Sequence, residues 1–267
     1  MNISRITSAL LGMPLVILIL VFGNVYVVDI AFAIIAAIAM HEFLKCFEGK
    51  AKPVVWIGYF AAAFIAVMHF LPWISMIDYV GMFFFLMIVL LFIEVFRSKM
   101  ERNITDISIT FFGICYIVFF LMFVPQVRGF ENGQFLIWFI FTAAWGTDVF
   151  AYIVGMTIGK HKFSKISPKK SIEGCIGGII GSLLVTLAFT YGFNVYGGLS
   201  LSYEKMAIIS VILSIVGQMG DFAASSIKRY VGIKDFSNLI PGHGGMLDRF
   251  DSVIFIAPAA YFLLMFV

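Results

Sequence analysis

Four aspartates stand in or beside apolar sequence, where an ionised carboxylate needs a reason to be. Asp148 lies within Trp145-Gly146-Thr147-Asp148-Val149-Phe150-Ala151-Tyr152, and Asp221 within Gly217-Gln218-Met219-Gly220-Asp221-Phe222-Ala223-Ala224-Ser225-Ser226. Asp248 and Asp251 open the last apolar stretch as Leu247-Asp248-Arg249-Phe250-Asp251. A carboxylate in hydrocarbon is costly unless it is paired, wetted or bound to a cation. Taken alone, Asp148 also reads as an acid salt-bridged to a neighbouring helix; in company with Asp221 and Asp248 it points to chemistry. Several carboxylates around one polar cavity repel one another, and a divalent cation relieves that repulsion. Oxygen ligands of this kind suit Mg2+. The i, i+4, i+7 spacing of Asp221, Ser225 and Lys228 sets them on one helix face, running from a buried acid to a cation at the surface. Asp29, Glu42 and Glu94 fall near the ends of apolar stretches, within reach of water, and are expected to be structural.

Two polar segments flank these acids. Residues 159–174 hold Lys160, Lys162, Lys165, Lys169 and Lys170, with Pro168 just before the last pair. On charge alone this is a cationic loop touching lipid headgroups. Residues 228–251 are more specific. Gly242, Gly244 and Gly245 let backbone N–H groups approach an anion closely. Lys228, Arg229, Lys234 and Arg249 supply countercharge, arginine with a bidentate grip on phosphate. The start of the next helix directs its dipole at the loop. Asp248 is placed to hold a metal that bridges phosphates, and His243 to meet a phosphate or a headgroup.

The elements that must position these groups are membrane helices. Of 267 residues, 62% are apolar and 12% charged, against about 25% charged in an ordinary soluble domain. Such a chain takes lipid as its solvent. Nine apolar stretches have about the length a crossing needs: 7–23, 26–44, 54–71, 77–96, 107–124, 134–158, 174–193, 206–227 and 250–267. With the N-terminus cytoplasmic, all but Arg128 and Lys205 of the 18 Lys and Arg fall on the cytoplasmic side, as the positive-inside rule favours. The first stretch lacks a small-residue cleavage site and is expected to be retained. The expectation is therefore an all-α, polytopic membrane bundle and a single structural unit, with spans 1–5 over residues 1–130 and spans 6–9, carrying the chemistry, over 131–267. Gly155-xxx-Gly159, Gly174-xxx-Gly178 and Gly177-xxx-Gly181 predict close helix packing. Cys46, Cys115 and Cys175 have neither disulfide nor zinc spacing.

The two polar segments carry a family pattern. Ser225-Ser226-Ile227-Lys228-Arg229, then Lys234-Asp235, then Pro241-Gly242-His243-Gly244-Gly245-Met246-Leu247-Asp248-Arg249-Phe250-Asp251 resembles the signature of the phosphatidate cytidylyltransferases (CDP-diacylglycerol synthases). A second stretch is similar too: Asp148-x-x-Ala151-Tyr152-x-x-Gly155-x-x-x-Gly159, then Ser167-Pro168-Lys169-Lys170-Ser171-x-Glu173-Gly174. Ser171 stands where the family more often has threonine, so the hydroxyl is kept. The likeness is clear over about residues 145–251 and rests on helix number alone before that.

The resemblance implies that CTP and phosphatidic acid give CDP-diacylglycerol and pyrophosphate with Mg2+. Asp221 and Asp248 then correspond to metal-binding acids, assisted by Asp148 or Asp251, with room for a second cation. Lys228, Arg229 and Arg249 serve the reaction at the phosphates. Lys169, Lys170, Ser225, Lys234, Asp235, His243, Gly244 and Gly245 line the substrates. The expected partners are CTP, phosphatidic acid and the bilayer, with a homodimer allowed and nucleic acid excluded. The expected location is the inner or plasma membrane of a bacterium, the active site facing the cytoplasm. Two rivals remain at this point. A transporter would also use intramembrane acids and glycine-broken helices, but predicts internal repeats that are not seen. A CTP-dependent lipid-alcohol kinase would release CDP instead of pyrophosphate. A third class, the alcohol phosphatidyltransferases, lacks its Asp-Gly-x-x-Ala-Arg pattern here.

Overall fold

The structure is a computed structural model and describes residues 14–162, 167 and 170–267. Among them every regular element is helical, with isolated β-bridges but no strand. Lys169, a candidate substrate ligand, and the start of the first apolar stretch lie outside the described residues.

The chain divides into two compact units. Residues 1–125 and 233–249 form the first, and residues 126–232 and 250–267 the second.

In the first unit α1 is described over residues 14–22. It is followed by α2 (Val25–Lys45), α3 (Val55–Val67), α4 (Met76–Arg97) and α5 (Ile104–Gly113). Polar caps start α2, α4 and α5, while α3 begins after Val54 without a side-chain cap. The Asn24 side chain accepts from Val27 N at 3.0 Å, and Ser75 caps α4. Asn103 and Asp106 form a reciprocal capping box on α5, satisfying donors that have no acceptor within the helix. A π-helical turn, Ile114–Phe119, leads on towards the short α6 (Phe123–Arg128). The core is aliphatic and aromatic: Met40, Phe43, Ile57, Ile65, Phe83, Met87 and Ile114 are fully buried. Glycine lets the helices close. A Cβ on Gly58 would stand 2.7 Å from the Met40 side chain, and one on Gly113 2.7 Å from the Phe43 ring.

The second unit contains α7 (Gly133–Leu136), α8 (Trp138–Ile158), α9 (Ile172–Gly197), α10 (Tyr203–Val231) and all but the first residues of α11 (Leu247–Leu264). Its tightest contact is α8 against α9, and the glycine spacing explains it. A Cβ on Gly174 would meet Gly155 Cα at 3.2 Å; one on Gly177 would meet Val154 at 2.5 Å; one on Gly181 would sink into the Phe150 ring at 2.0 Å. With the backbones this close, short hydroxyls reach across. Thr147 Oγ1 and Ser214 Oγ of α10 are 2.7 Å apart, and Ser182 Oγ and Ser210 Oγ 3.2 Å apart. On α11, Ile256 and Phe255 fill the space left by Gly217 and Gly220 of α10.

Among the described residues six helical stretches are long and apolar enough to cross a membrane: Val25–Lys45, Met76–Arg97, Ile104–Arg128, Gly133–Ile158, Ile172–Gly197 and Tyr203–Val231. Val55–Phe70 is a shorter apolar helix. Large apolar side chains such as Phe22, Ile77, Phe85 and Phe96 stand exposed, as a lipid-facing surface requires. The chain is thus an all-helical integral membrane protein.

The α8–α9 seam yields a contrast within one helix. Gly181→Val drives two methyl groups into Phe150 and should lower the unfolding free energy by about 1–3 kcal/mol or more. Gly192→Ala, where a Cβ meets nothing within 4 Å, should be neutral or gain up to ~1 kcal/mol. Thermal unfolding of the detergent-solubilised protein checks both; equal midpoints would contradict the packing described.

Candidate active site

Three of the four acids expected from sequence, Asp148, Asp221 and Asp251, lie in the second unit, on α8, α10 and α11; Asp248 lies in the first. Ser225 Oγ donates to Asp221 Oδ1 at 3.3 Å, so the i, i+4 face exists as spaced. Lys170 forms an ion pair with Asp221, each side chain 25% exposed. The same ammonium lies 4.7 Å above the Phe222 ring, which adds a cation–π attraction. Asp251 feels the charges of Asp221, Asp148 and Lys228, and Ser252 N donates to its Oδ1 at 2.7 Å. Asp148 itself is exposed on α8, and Lys228 is half-buried near the end of α10. Three carboxylates therefore share one neighbourhood with Lys170 and Lys228. They do not close into a cage: among the described residues no three His, Cys, Asp or Glu side chains are grouped to hold a metal ion.

Arg229 closes this helix at its exposed end, and Gly232 follows with φ 88°. On the basic segment 159–174, Glu173 accepts from His161 N at 3.2 Å and lies 2.6 Å from His161 Nδ1. This pins the two ends of that segment to each other.

In the first unit, residues 233–249 fold into a glycine turn built around two buried carboxylates. Ile240 N donates to Gly244 O and His243 N to Ile240 O, both at 2.9 Å. Gly242 and Gly244 take φ of 78° and 83°, a region costly for any side chain with a Cβ. Asp248 is 6% exposed, and its Oδ2 accepts from Phe236 N at 2.8 Å and Gly245 N at 2.9 Å. It thereby organises the loop from the first turn of α11, where the helix dipole favours a negative charge. Lys234, Asp235 and Arg249 are exposed along this segment and His243 is half-buried.

The second carboxylate is Glu42, at the end of α2. Asp29, Glu42 and Glu94 are not at water-washed helix ends as expected: they are 0%, 3% and 2% exposed. Each is held by partners within the protein, and only the i, i+3 pair of Glu94 and Arg97 is one that sequence spacing discloses. Asp29 pairs with His69 Nδ1 at 2.8 Å, and Glu94 with Arg97 at 3.2 Å and with Arg102. Glu42 accepts from Ser237 Oγ at 2.6 Å, Met246 N at 2.9 Å and Leu247 N at 2.8 Å. No local pattern around Met40-His41-Glu42-Phe43 announces these donors; burial of a carboxylate beside an apolar helix was the available hint.

These arrangements offer two kinds of chemistry. The carboxylates of Asp148, Asp221 and Asp251 are hard oxygen donors of the type Mg2+ takes, but among the described residues they do not form a group of three that could hold it. The N–H groups of His243, Gly245, Met246 and Leu247, expected from sequence to approach an anion, are taken by protein acceptors, so the charge this segment offers a phosphate is that of the exposed Lys234 and Arg249.

The whole chain matches the profile of the Cytidylyltransferase family, over residues 3–267. The chain belongs to this family. Among curated relatives, the phosphatidate cytidylyltransferase of Staphylococcus haemolyticus is 33% identical over 267 residues, covering 97% of this chain and 98% of the relative. The phosphatidate cytidylyltransferase of Staphylococcus aureus is 34% identical over 265 residues, with the same coverage. That of Staphylococcus saprophyticus is 39% identical over 168 residues, 62% of each chain. The N-terminal helices, generic when read alone, are thus part of the likeness.

In this cytidylyltransferase Asp221 and Asp248 differ in what they hold. Asp248→Ala would strand two backbone donors in a buried loop, at about 1–3 kcal/mol each. Asp221→Ala frees only half-exposed side chains, and should cost under ~1 kcal/mol. In thermal unfolding without nucleotide and with chelator present, Asp248→Ala should fall well below Asp221→Ala; the reverse order would contradict the loop geometry.

Proposed function

We propose that this cytidylyltransferase activates phosphatidic acid: CTP and phosphatidate give CDP-diacylglycerol and pyrophosphate. The observation that carries the reading is the near full-length likeness to proteins named phosphatidate cytidylyltransferase. The chemistry of the residues agrees. A phosphatidate oxygen forms a bond to the α-phosphorus of CTP, and the bond from that phosphorus to the bridging oxygen breaks, so pyrophosphate leaves with the electron pair. The lipid phosphate is already an anion near neutral pH, so no strong general base is needed. The barrier is repulsion between two anions, and the residues proposed for the task are those that cancel charge and fix an in-line approach.

In this reading Lys228, Arg229, Lys234 and Arg249 hold phosphates, with Lys169 and Lys170 as further cations. Lys170 now pairs with Asp221. Release from that carboxylate would turn its ammonium to a phosphate. Ser225 orients Asp221 through its hydroxyl. His243 and Asp235 stand beside the Gly244–Gly245 turn as further groups for the substrates, while Gly245 N itself is taken by Asp248. Asp221 and Asp248 are the proposed Mg2+ ligands, assisted by Asp148 or Asp251. When bound, Mg2+ would neutralise charge developing on the phosphate oxygens. A second cation is compatible with the number of acids.

The proposed topology has nine crossings with the N-terminus in the cytoplasm, as the Lys and Arg distribution favours. CTP then arrives from the cytoplasm and the lipid from the bilayer, in the inner or plasma membrane of a bacterium. The protein works alone or as a homodimer.

Purified protein with phosphatidic acid, CTP and Mg2+ should release pyrophosphate, and omission of the lipid, replacement of CTP by ATP, or chelation should each reduce release at least ~100-fold. Asp221→Ala and Asp248→Ala should lose a similar factor while remaining folded. Release of CDP without pyrophosphate would indicate a lipid kinase, and lipid-independent ion uptake without pyrophosphate a transporter. Full activity in either folded variant would refute the assignment of these acids.

A further inference from the structure

Glu42 lies far in sequence from every motif that carries the chemistry, yet its carboxylate is wholly engaged by the glycine turn. Oε1 accepts from Ser237 Oγ and Met246 N, and Oε2 from Leu247 N. Met246 and Leu247 lead into α11, whose first N–H groups have no acceptor within the helix. A carboxylate gives them charge-assisted bonds, stronger than a neutral cap supplies. Asp248 follows at once and takes Phe236 N and Gly245 N on its own Oδ2. The two acids thus divide the turn. Asp248 gathers it from within, and Glu42 holds the same backbone from α2.

The fit leaves no slack. A Cβ on Gly245 would come 2.5 Å from Glu42 Oε2 and 2.7 Å from Oε1. Gly245 does not take a positive φ, so alanine is barred by the Glu42 carboxylate and not by the backbone conformation. A helix cap alone would need a single acceptor. Here both oxygens are used, and Ser237, from the far arm of the turn, is tied in as well.

We propose that Glu42 is a positioning residue for the reaction. Through Ser237, Met246 and Leu247 it fixes the backbone that presents Asp248, His243 and Arg249. The inference rests on the phosphatidate cytidylyltransferase reading for what the turn does, and on geometry alone for what holds the turn. Displacements of about 1 Å at a reacting centre can cost ~100-fold in rate.

The test uses full-length protein in lipid nanodiscs and two variants. Glu42→Gln keeps the shape but turns one acceptor into a donor, facing either Leu247 N–H or the Met246 and Ser237 pair. Gly245→Ala pushes the turn off an intact Glu42. Both should lower kcat for pyrophosphate release 10–100-fold, with the thermal midpoint within a few degrees of the wild type. Both should also speed amide exchange at least ~10-fold at residues 236–248 and nowhere else. Glu42→Gln with wild-type kcat, or with lost activity but wild-type protection of 236–248, overturns the proposal. So does exchange that rises throughout the chain, since that is general destabilisation. If the wild type releases no pyrophosphate, the reading of the activity falls. Exchange in the two variants then decides by itself whether Glu42 holds the turn.

Discussion

Ionised carboxylates inside an apolar protein are the constraint on which the rest of this structure depends. Each must find donors or cations, because leaving a charge unpaired in a low-dielectric interior costs more than a fold of this kind can spare. The chain answers in two ways. Asp29, Glu94, Glu42 and Asp248 are satisfied by fixed partners within the protein. Asp148, Asp221 and Asp251 are clustered, with Lys170 and Lys228 as their cations. Fixed partners produce rigidity. A like-charged cluster repels itself, and the Lys170 ion pair offsets part of that repulsion. That difference separates the architecture from the candidate chemistry.

The helices serve the same end. Glycines let α8, α9 and α10 approach until hydroxyl pairs meet, and α10 carries Asp221, Ser225 and Lys228 along one face. The positive φ of Gly242 and Gly244 turns the segment before α11 sharply enough for its N–H groups to converge on Asp248 and Glu42. Within each unit the helix face and the turn are therefore fixed by local rules: helix spacing, glycine freedom and capping.

Those local rules explain what could be read in the sequence. Asp221 with Ser225, the glycine seam of α8 and α9, the sharp turn at 242–245 and the helical class all follow from spacing or from residue type. Glu42 did not follow. Its donors lie 195 to 205 residues away, and a carboxylate at the end of an apolar helix looks the same whether water or a distant loop satisfies it. The Lys170–Asp221 pair escaped for a similar reason: the sequence marked each as a ligand for something else, and their separation in the chain is too wide for any local pattern to join them. The grouping of residues 233–249 with the first 125 residues is likewise a long-range fact, to which Glu42 contributes through Ser237, Met246 and Leu247.

Cation binding tests most directly whether the acidic cluster is a site and not a set of structural pairs. Mn2+ titrated into the purified protein can be followed by its electron paramagnetic resonance, with and without CTP. Saturable binding that weakens at least ~10-fold in both Asp221→Asn and the double variant Asp148→Asn with Asp251→Asn, in folded protein, is the predicted result. Binding unchanged in those variants, or no saturable binding to the wild type even with CTP, would contradict it.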